Sequence, residues 1–286
     1  MIAELDLLRV LLLFSLALGP LGTHRHFAVG SPRARTLAHL AALLCAAVGV
    51  FAAPILCVVW LVFCAASFAL FLRAHVASLR SPRVLAACVP FLFSNIAAVW
   101  LVAGANDLHL LGYGTAFSYY AALHGNVLGW VLIGALAILA SRDTTTEAER
   151  RIHLAAVLVC LASFLLIAFG IDRLHALKPF GVIGLSLALP VSQLTFLRST
   201  SRRHRAAFAL GCVSLAGLAS TMALAWCNEL ALPVLGEIAG LRAMVSVHGV
   251  INALIVAPSF LLAVVIDTPS APDTPSAPDT ASARAS

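Results

Sequence analysis

Nine apolar runs occupy residues 5–21, 36–53, 54–72, 84–104, 114–140, 152–171, 180–197, 206–226 and 243–266. An α-helix rises about 1.5 Å per residue, so about 20 apolar residues cross a hydrocarbon core about 30 Å thick. No water is available there to satisfy a backbone N–H or C=O, and a helix satisfies both internally. The predicted fold class is therefore all-α, a polytopic transmembrane helical bundle of about nine spans. The first run, within residues 1–22, is the shortest, and only Ala53-Pro54 separates the second from the third, so eight and ten crossings are the neighbouring counts. Glu4 and Asp6 precede the first run, the opposite of the basic n-region of a signal peptide, and the run is expected to be retained as a helix.

Only 10% of residues are charged and 62% are hydrophobic, with a mean hydropathy of +1.01. Soluble domains carry roughly a quarter charged residues, which excludes that class. A net charge of +6 and a pI near 9.2 do not indicate nucleic acid, because the basic residues are scattered between apolar runs and form no stripe. They report topology instead. Fourteen of the 18 Lys and Arg fall in alternate loops, at 22–35, 73–83, 141–151 and 198–205, and in the tail; the opposite set holds only Arg9, Arg173, Lys178 and Arg242. Basic loops stay cytoplasmic, so nine spans in the cell's inner (plasma) membrane place the N-terminus outside and the C-terminus inside. Residues 268–286 repeat Thr-Pro-Ser-Ala-Pro-Asp at 268–273 and 274–279 and are expected to be a disordered cytoplasmic tail, too poor in apolar residues to offset their ordering entropy.

The two halves of the chain share a pattern. Trp100 precedes Asn106-Asp107, which stands eighteen residues before His124; Trp226 precedes Asn228-Glu229, twenty residues before His248. Spans two to five (36–140) and six to nine (152–266) are thus expected to be two four-helix repeats, with the first span extra. Each half crosses an even number of times, which makes the repeats parallel about an axis along the membrane normal.

His124-Gly125 and His248-Gly249 lie inside apolar runs, and a titratable imidazole in hydrocarbon needs a partner or a purpose. His124 is ten residues past Gly114, about 15 Å down its helix and near the midplane; His248 is expected to be shallower, about 8 Å below Ala243. Glycine beside each imidazole is expected to let a neighbouring backbone or ligand approach closely. Tyr120 and His124 share a face, as do Met244, His248 and Asn252, whereas Asn126 faces elsewhere.

Three roles suit such histidines. They can serve as interhelical glue in a structural or assembly subunit, through bonds to carbonyls or amides of adjacent helices. They can form a solute or proton site at a repeat interface, where transporters place theirs. Finally, His124 and His248 can ligate a haem or a copper ion in a membrane redox protein. Bis-histidine haem needs ring nitrogens about 4 Å apart, given metal–nitrogen bonds of about 2 Å.

Other polar residues carry simpler expectations. Asp107, His109, Glu229 and Glu237 read as solvated outer-loop polarity, and Asp172, Arg173, His175 and Lys178 as charges that pair among themselves. Asn95 and Gln193 are expected to bond across helices. His24 and His26 flank Arg25 where anionic headgroups are the expected partners. The seven cysteines form no Cys-x-x-Cys pair and imply neither a disulfide framework nor a zinc site. No hydrolase elbow, phosphate-cradling loop or His-x-x-Glu-His pattern appears, so no catalytic residue is assigned and a non-enzymatic role is expected.

The stretch 241–254, Leu-Arg-Ala-Met-Val-Ser-Val-His-Gly-Val-Ile-Asn-Ala-Leu, resembles the C-terminal helix of the YndJ-like membrane proteins. That motif reads Met, a few residues, then His-Gly-x-x-Asn-Ala, and Met244, His248, Gly249, Asn252 and Ala253 match it. An earlier helix of the family carries a His-x-His element; here the nearest equivalent, Tyr119-Tyr120-Ala-Ala-Leu-His124-Gly125, keeps one histidine. The resemblance implies a multispanning, transporter-like protein. The expected function is transport of a small solute or ion through a site built by His124, Tyr120, His248 and Asn252, with the lipid bilayer as the other partner.

Overall fold

A computed structural model of the protein describes residues 4–27, 29–200, 204–232, 236–238 and 241–268. Among them, nine helices are long and apolar enough to cross a membrane. These are α1 Glu4–Phe27, α2 Pro32–Phe51, α3 Pro54–Ser78, α4 Pro82–Ala105, α5 Thr115–Ser141, α6 Glu147–Asp172, α7 His175–Thr200, α8 Arg205–Glu229 and α9 Met244–Asp267. The only extended pairing among the described residues joins Glu237–Ile238 to Leu241–Arg242 just before α9. The tandem repeat of the tail lies outside the described residues beyond Thr268.

Local sequence sets the helix starts. Pro32 and Pro82 each follow a serine in extended conformation and occupy the first helical turn, where a missing N–H costs nothing. Pro54 opens a 3-10 turn that separates α3 from α2 after Ala52 and Ala53 break the helix. Thr146 begins α6 with a capping box: its hydroxyl accepts from the Glu149 N–H, and the Glu149 carboxylate accepts from the Thr146 N–H. The first helix runs six residues beyond the apolar run that ends at Leu21. Interior contacts explain the extension, because the indole Nε1 of Trp130 donates to Thr23 Oγ1 at 2.7 Å and His24 is buried among aromatic rings.

The fifth helix is the axis of the bundle. Some 89% of its apolar window is buried, against 22% for α2 and for α3, and it packs on α1, α4, α6 and α9. Outward-facing side chains such as Leu37, Leu44, Ile55 and Phe180 leave a broad apolar exterior suited to lipid. Helices α1, α5 and α9 touch pairwise and run in the same direction. Contacts along them advance together: Glu4 meets Tyr120, Gly19 lies against Trp130, Leu11 is near Gly249, and Gly22 lies against Ile138 and Leu261. A Cβ on Gly22 would stand 2.5 Å from Leu261 Cδ1 and 3.7 Å from Ile138 Cδ1, so those two residues occupy one level.

Candidate functional site

The shared level of Ile138 and Leu261 fixes the relative depth of the two His-Gly pairs. His124 precedes Ile138 by fourteen residues and His248 precedes Leu261 by thirteen, so the two imidazoles lie at comparable depth. This corrects the expectation that His248 is the shallower of the two. The reason is a stagger of helix starts: α5 begins nine residues before His124, and α9 only four before His248.

Both pairs sit where their helices widen. In α5 the α-helix Thr115–His124 gives way to π-helical turns over Gly125–Leu132. In α9 π-helical turns cover Met244–Gly249 and Asn252–Val256. The second of these directly precedes Pro258, whose ring crowds the carbonyl four residues back and removes a donor, and a wide turn absorbs both. Single wide turns inside transmembrane helices occur mostly where side chains are re-aimed for function.

Each imidazole is held in the same way. His124 Nδ1 lies 2.9 Å from the Tyr120 carbonyl oxygen, and His248 Nδ1 lies 3.0 Å from the Thr221 carbonyl oxygen on α8. A carbonyl only accepts, so Nδ1 carries a proton in both rings, and in the neutral form each ring presents the Nε2 lone pair. The His124 side chain keeps accessible surface.

The remaining predicted residues divide by task. Tyr120, one turn above His124, donates its hydroxyl to Glu4 Oε1 on α1 at 2.5 Å. Asn252 donates from Nδ2 to the His248 carbonyl at 3.0 Å, and its Oδ1 lies 3.1 Å from the Thr221 hydroxyl. Its amide therefore braces the His248 turn against α8. The two glycines also differ. A Cβ on Gly125 would stand 2.9 Å from the Ala97 Cβ of α4, whereas one on Gly249 would meet nothing closer than 3.9 Å. Close approach of a neighbouring helix is thus found at Gly125 and is absent at Gly249.

Other polar residues sharpen or correct the expectations from sequence. Asn95 reaches the Cys64 carbonyl on α3 at 3.4 Å, and Gln193 donates to Ser214 on α8 at 3.1 Å, both across helices as expected. Asp172 pairs with Arg173 at 2.6 Å, but Lys178 pairs with Glu229 at 2.6 Å, and that carboxylate is buried instead of solvated. His24 does not face headgroups. Its ring lies 5.3–5.9 Å from those of Phe63, Phe91 and Trp130, beside His39, which stacks on Phe63 and meets Trp60. Nothing in the sequence singled out His39. Its helix is apolar on every side, and no hydrophobic stripe marks which face turns inward.

Among the described residues, no group of three or more His, Cys, Asp or Glu is placed to hold a metal ion, and all seven cysteines are free. A family model described as YndJ-like protein matches residues 8–256. No curated protein and no solved structure matches the chain. The family match runs from the first helix into the last and takes in both His-Gly pairs, and the chain, an integral membrane protein, belongs to the YndJ-like family.

Proposed function

We propose that this protein is a transporter-like membrane protein whose small-solute or ion site lies between α5 and α9 and is built by His124, Tyr120, His248 and Asn252. One observation carries the reading: two imidazoles stand level on adjacent, locally widened helices, each fixed through Nδ1 to a carbonyl with Nε2 turned to other use. The His248 bond to α8 also ties two helices, whereas the His124 bond stays within α5 and joins no neighbour, so interhelical glue does not account for that imidazole. In this reading the N-terminus is outside and the C-terminus cytoplasmic, and α2–α5 and α6–α9 are parallel repeats. The wide turns at equivalent His-Gly positions of α5 and α9 support that pairing.

The test is flux through purified protein in vesicles, screened with a panel of inorganic cations and small polar solutes. The expected result is flux of one class that is lost in both His124→Ala and His248→Ala, while each variant still elutes and melts as a folded protein. If neither the wild type nor its variants move any solute, and both substitutions simply lower the melting temperature, the histidines are glue.

A further inference from the structure

We propose that the recess between the starts of α4 and α6 binds the phosphate of an anionic phospholipid, a ligand separate from the solute of the α5–α9 site. Ser81 and Arg83 at the start of α4 line this recess together with Glu147, Arg150, Arg151 and Leu154 of α6, and its volume is about 340 Å³. Three guanidiniums from two helices thus border one cavity. A guanidinium presents a planar fork of N–H donors that matches the oxygens of a phosphate. The Ser81 hydroxyl is a further donor, since it caps no N–H of α4.

The ion pairs already present leave this charge only partly balanced. Arg83 Nη1 reaches Asp143 at 3.0 Å, and Glu147 is shared by Arg150 Nη1 at 2.8 Å and Arg151 Nε at 3.0 Å. Three cations meet two carboxylates, and a singly charged phosphodiester makes the cluster neutral. The side chains of Asp143 and Glu147 are 90% and 60% exposed, so these pairs are weak and an incoming phosphate can exchange with them. Position selects a lipid over a soluble anion. Pro82 and Leu154 give the recess an apolar wall. Leu85 and Leu158, one turn further along the same helix faces, are each 49% exposed on the outer surface of the bundle. A headgroup seated among the arginines therefore lays its acyl chains along apolar, lipid-facing side chains. The recess also lies at the ends of membrane-crossing helices, the depth at which clustered basic residues draw anionic headgroups.

The experiment is native mass spectrometry of the purified full-length protein supplied with equimolar phosphatidylglycerol and phosphatidylcholine. The expected result is one phosphatidylglycerol retained per chain in preference to phosphatidylcholine. Its affinity is expected to fall about tenfold or more when Arg83→Gln and Arg150→Gln are combined, because hydrogen bonds to a charged group are lost. It is expected to be unchanged in Arg33→Gln, whose guanidinium lines a separate groove at the start of α2. Glu147→Gln removes the carboxylate that competes for Arg150 and Arg151 and is expected to raise retention, a gain that no misfolded variant gives. Equal retention of the two lipids, or retention that none of the recess substitutions moves, overturns the proposal. So does displacement of phosphatidylglycerol by millimolar inorganic phosphate, which would make the recess a site for a free anion. Each of these failures leaves the transport reading standing, because that reading uses other residues.

Discussion

Arg142, immediately past α5, donates from Nη1 to Oδ2 of Asp267 at the end of α9 at 2.7 Å, and the two side chains are 5% and 0% exposed. The ion pair joins the same two helices that carry the histidines, at the opposite end from Glu4. Arg142 is eighteen residues past His124, about 27 Å along the helix. The Arg142 guanidinium also lies 5.9 Å from the ring of Phe196, which covers the pair from α7. A closed, charged contact therefore joins α5 and α9 at the end away from His124.

Breaking that pair from one side leaves a buried charge uncompensated, which costs about 3–5 kcal/mol. Arg142→Ala and Asp267→Ala are each expected to lower the melting temperature of the detergent-solubilised protein sharply. Replacing both together, by Arg142→Met with Asp267→Leu, is expected to recover most of the loss, because apolar neighbours suit that site better than a lone ion. A double variant no more stable than either single one would show that the pair is not the interaction being lost.

Thr146 offers a test confined to one helix end. Thr146→Ala removes a hydroxyl that satisfies the Glu149 N–H and is expected to cost about 1 kcal/mol, with Thr146→Ser close to neutral. Reversible unfolding in mixed micelles measures both. An equal loss for alanine and serine would place the effect in packing and not in the cap.

Much of the architecture was legible because crossing a bilayer imposes a length that no other structure shares. The nine apolar runs correspond one to one with α1–α9, and the His-Gly pairs drew attention as imidazoles in hydrocarbon. What the sequence concealed was which faces meet. Lipid and protein interior are equally apolar, so the faces of α2 that carry His39 and Leu44 look alike, although one enters an aromatic core and the other is exposed. The contact between Glu4 and Tyr120 joins residues 116 apart, and no local pattern announces it. The level placement of His124 and His248 was hidden for a related reason. Depth counted from each helix start fails when the starts are staggered.

Asn252 separates bracing from glue. Its bond to Thr221 of α8 is an interhelical contact of a kind worth about 0.6 kcal/mol on average and up to about 1.7 in membranes. Asn252→Ala is therefore expected to change stability only within that range. If its brace on the His248 turn holds a functional imidazole in place, the same substitution lowers flux well beyond what that small stability loss accounts for. Stability from unfolding and flux in vesicles give the two readouts. A proportionate small loss in both would assign Asn252 to packing alone.

The two glycines make the most discriminating pair of substitutions, because the sequence presents them as equivalents and the structure does not. Gly125→Ala drives a Cβ to 2.9 Å from that of Ala97, where α4 and α5 would have to separate, and overpacking of this kind costs about 1–3 kcal/mol. Gly249→Ala meets no atom nearer than 3.9 Å and is expected to be neutral, or to gain a few tenths of a kcal/mol from the stiffer unfolded chain. Adding Ala97→Gly to Gly125→Ala returns the missing space, so the double variant is expected to regain most of the stability, with a coupling of about 1 kcal/mol or more between the two positions. A fluorescence melting series of the wild type, the single variants Gly125→Ala, Gly249→Ala and Ala97→Gly, and the double variant decides the matter. Equal destabilisation by Gly125→Ala and Gly249→Ala, with no rescue by Ala97→Gly, would mean that α4 does not approach α5 at the His124 turn, and the histidine would then be held by its carbonyl bond alone.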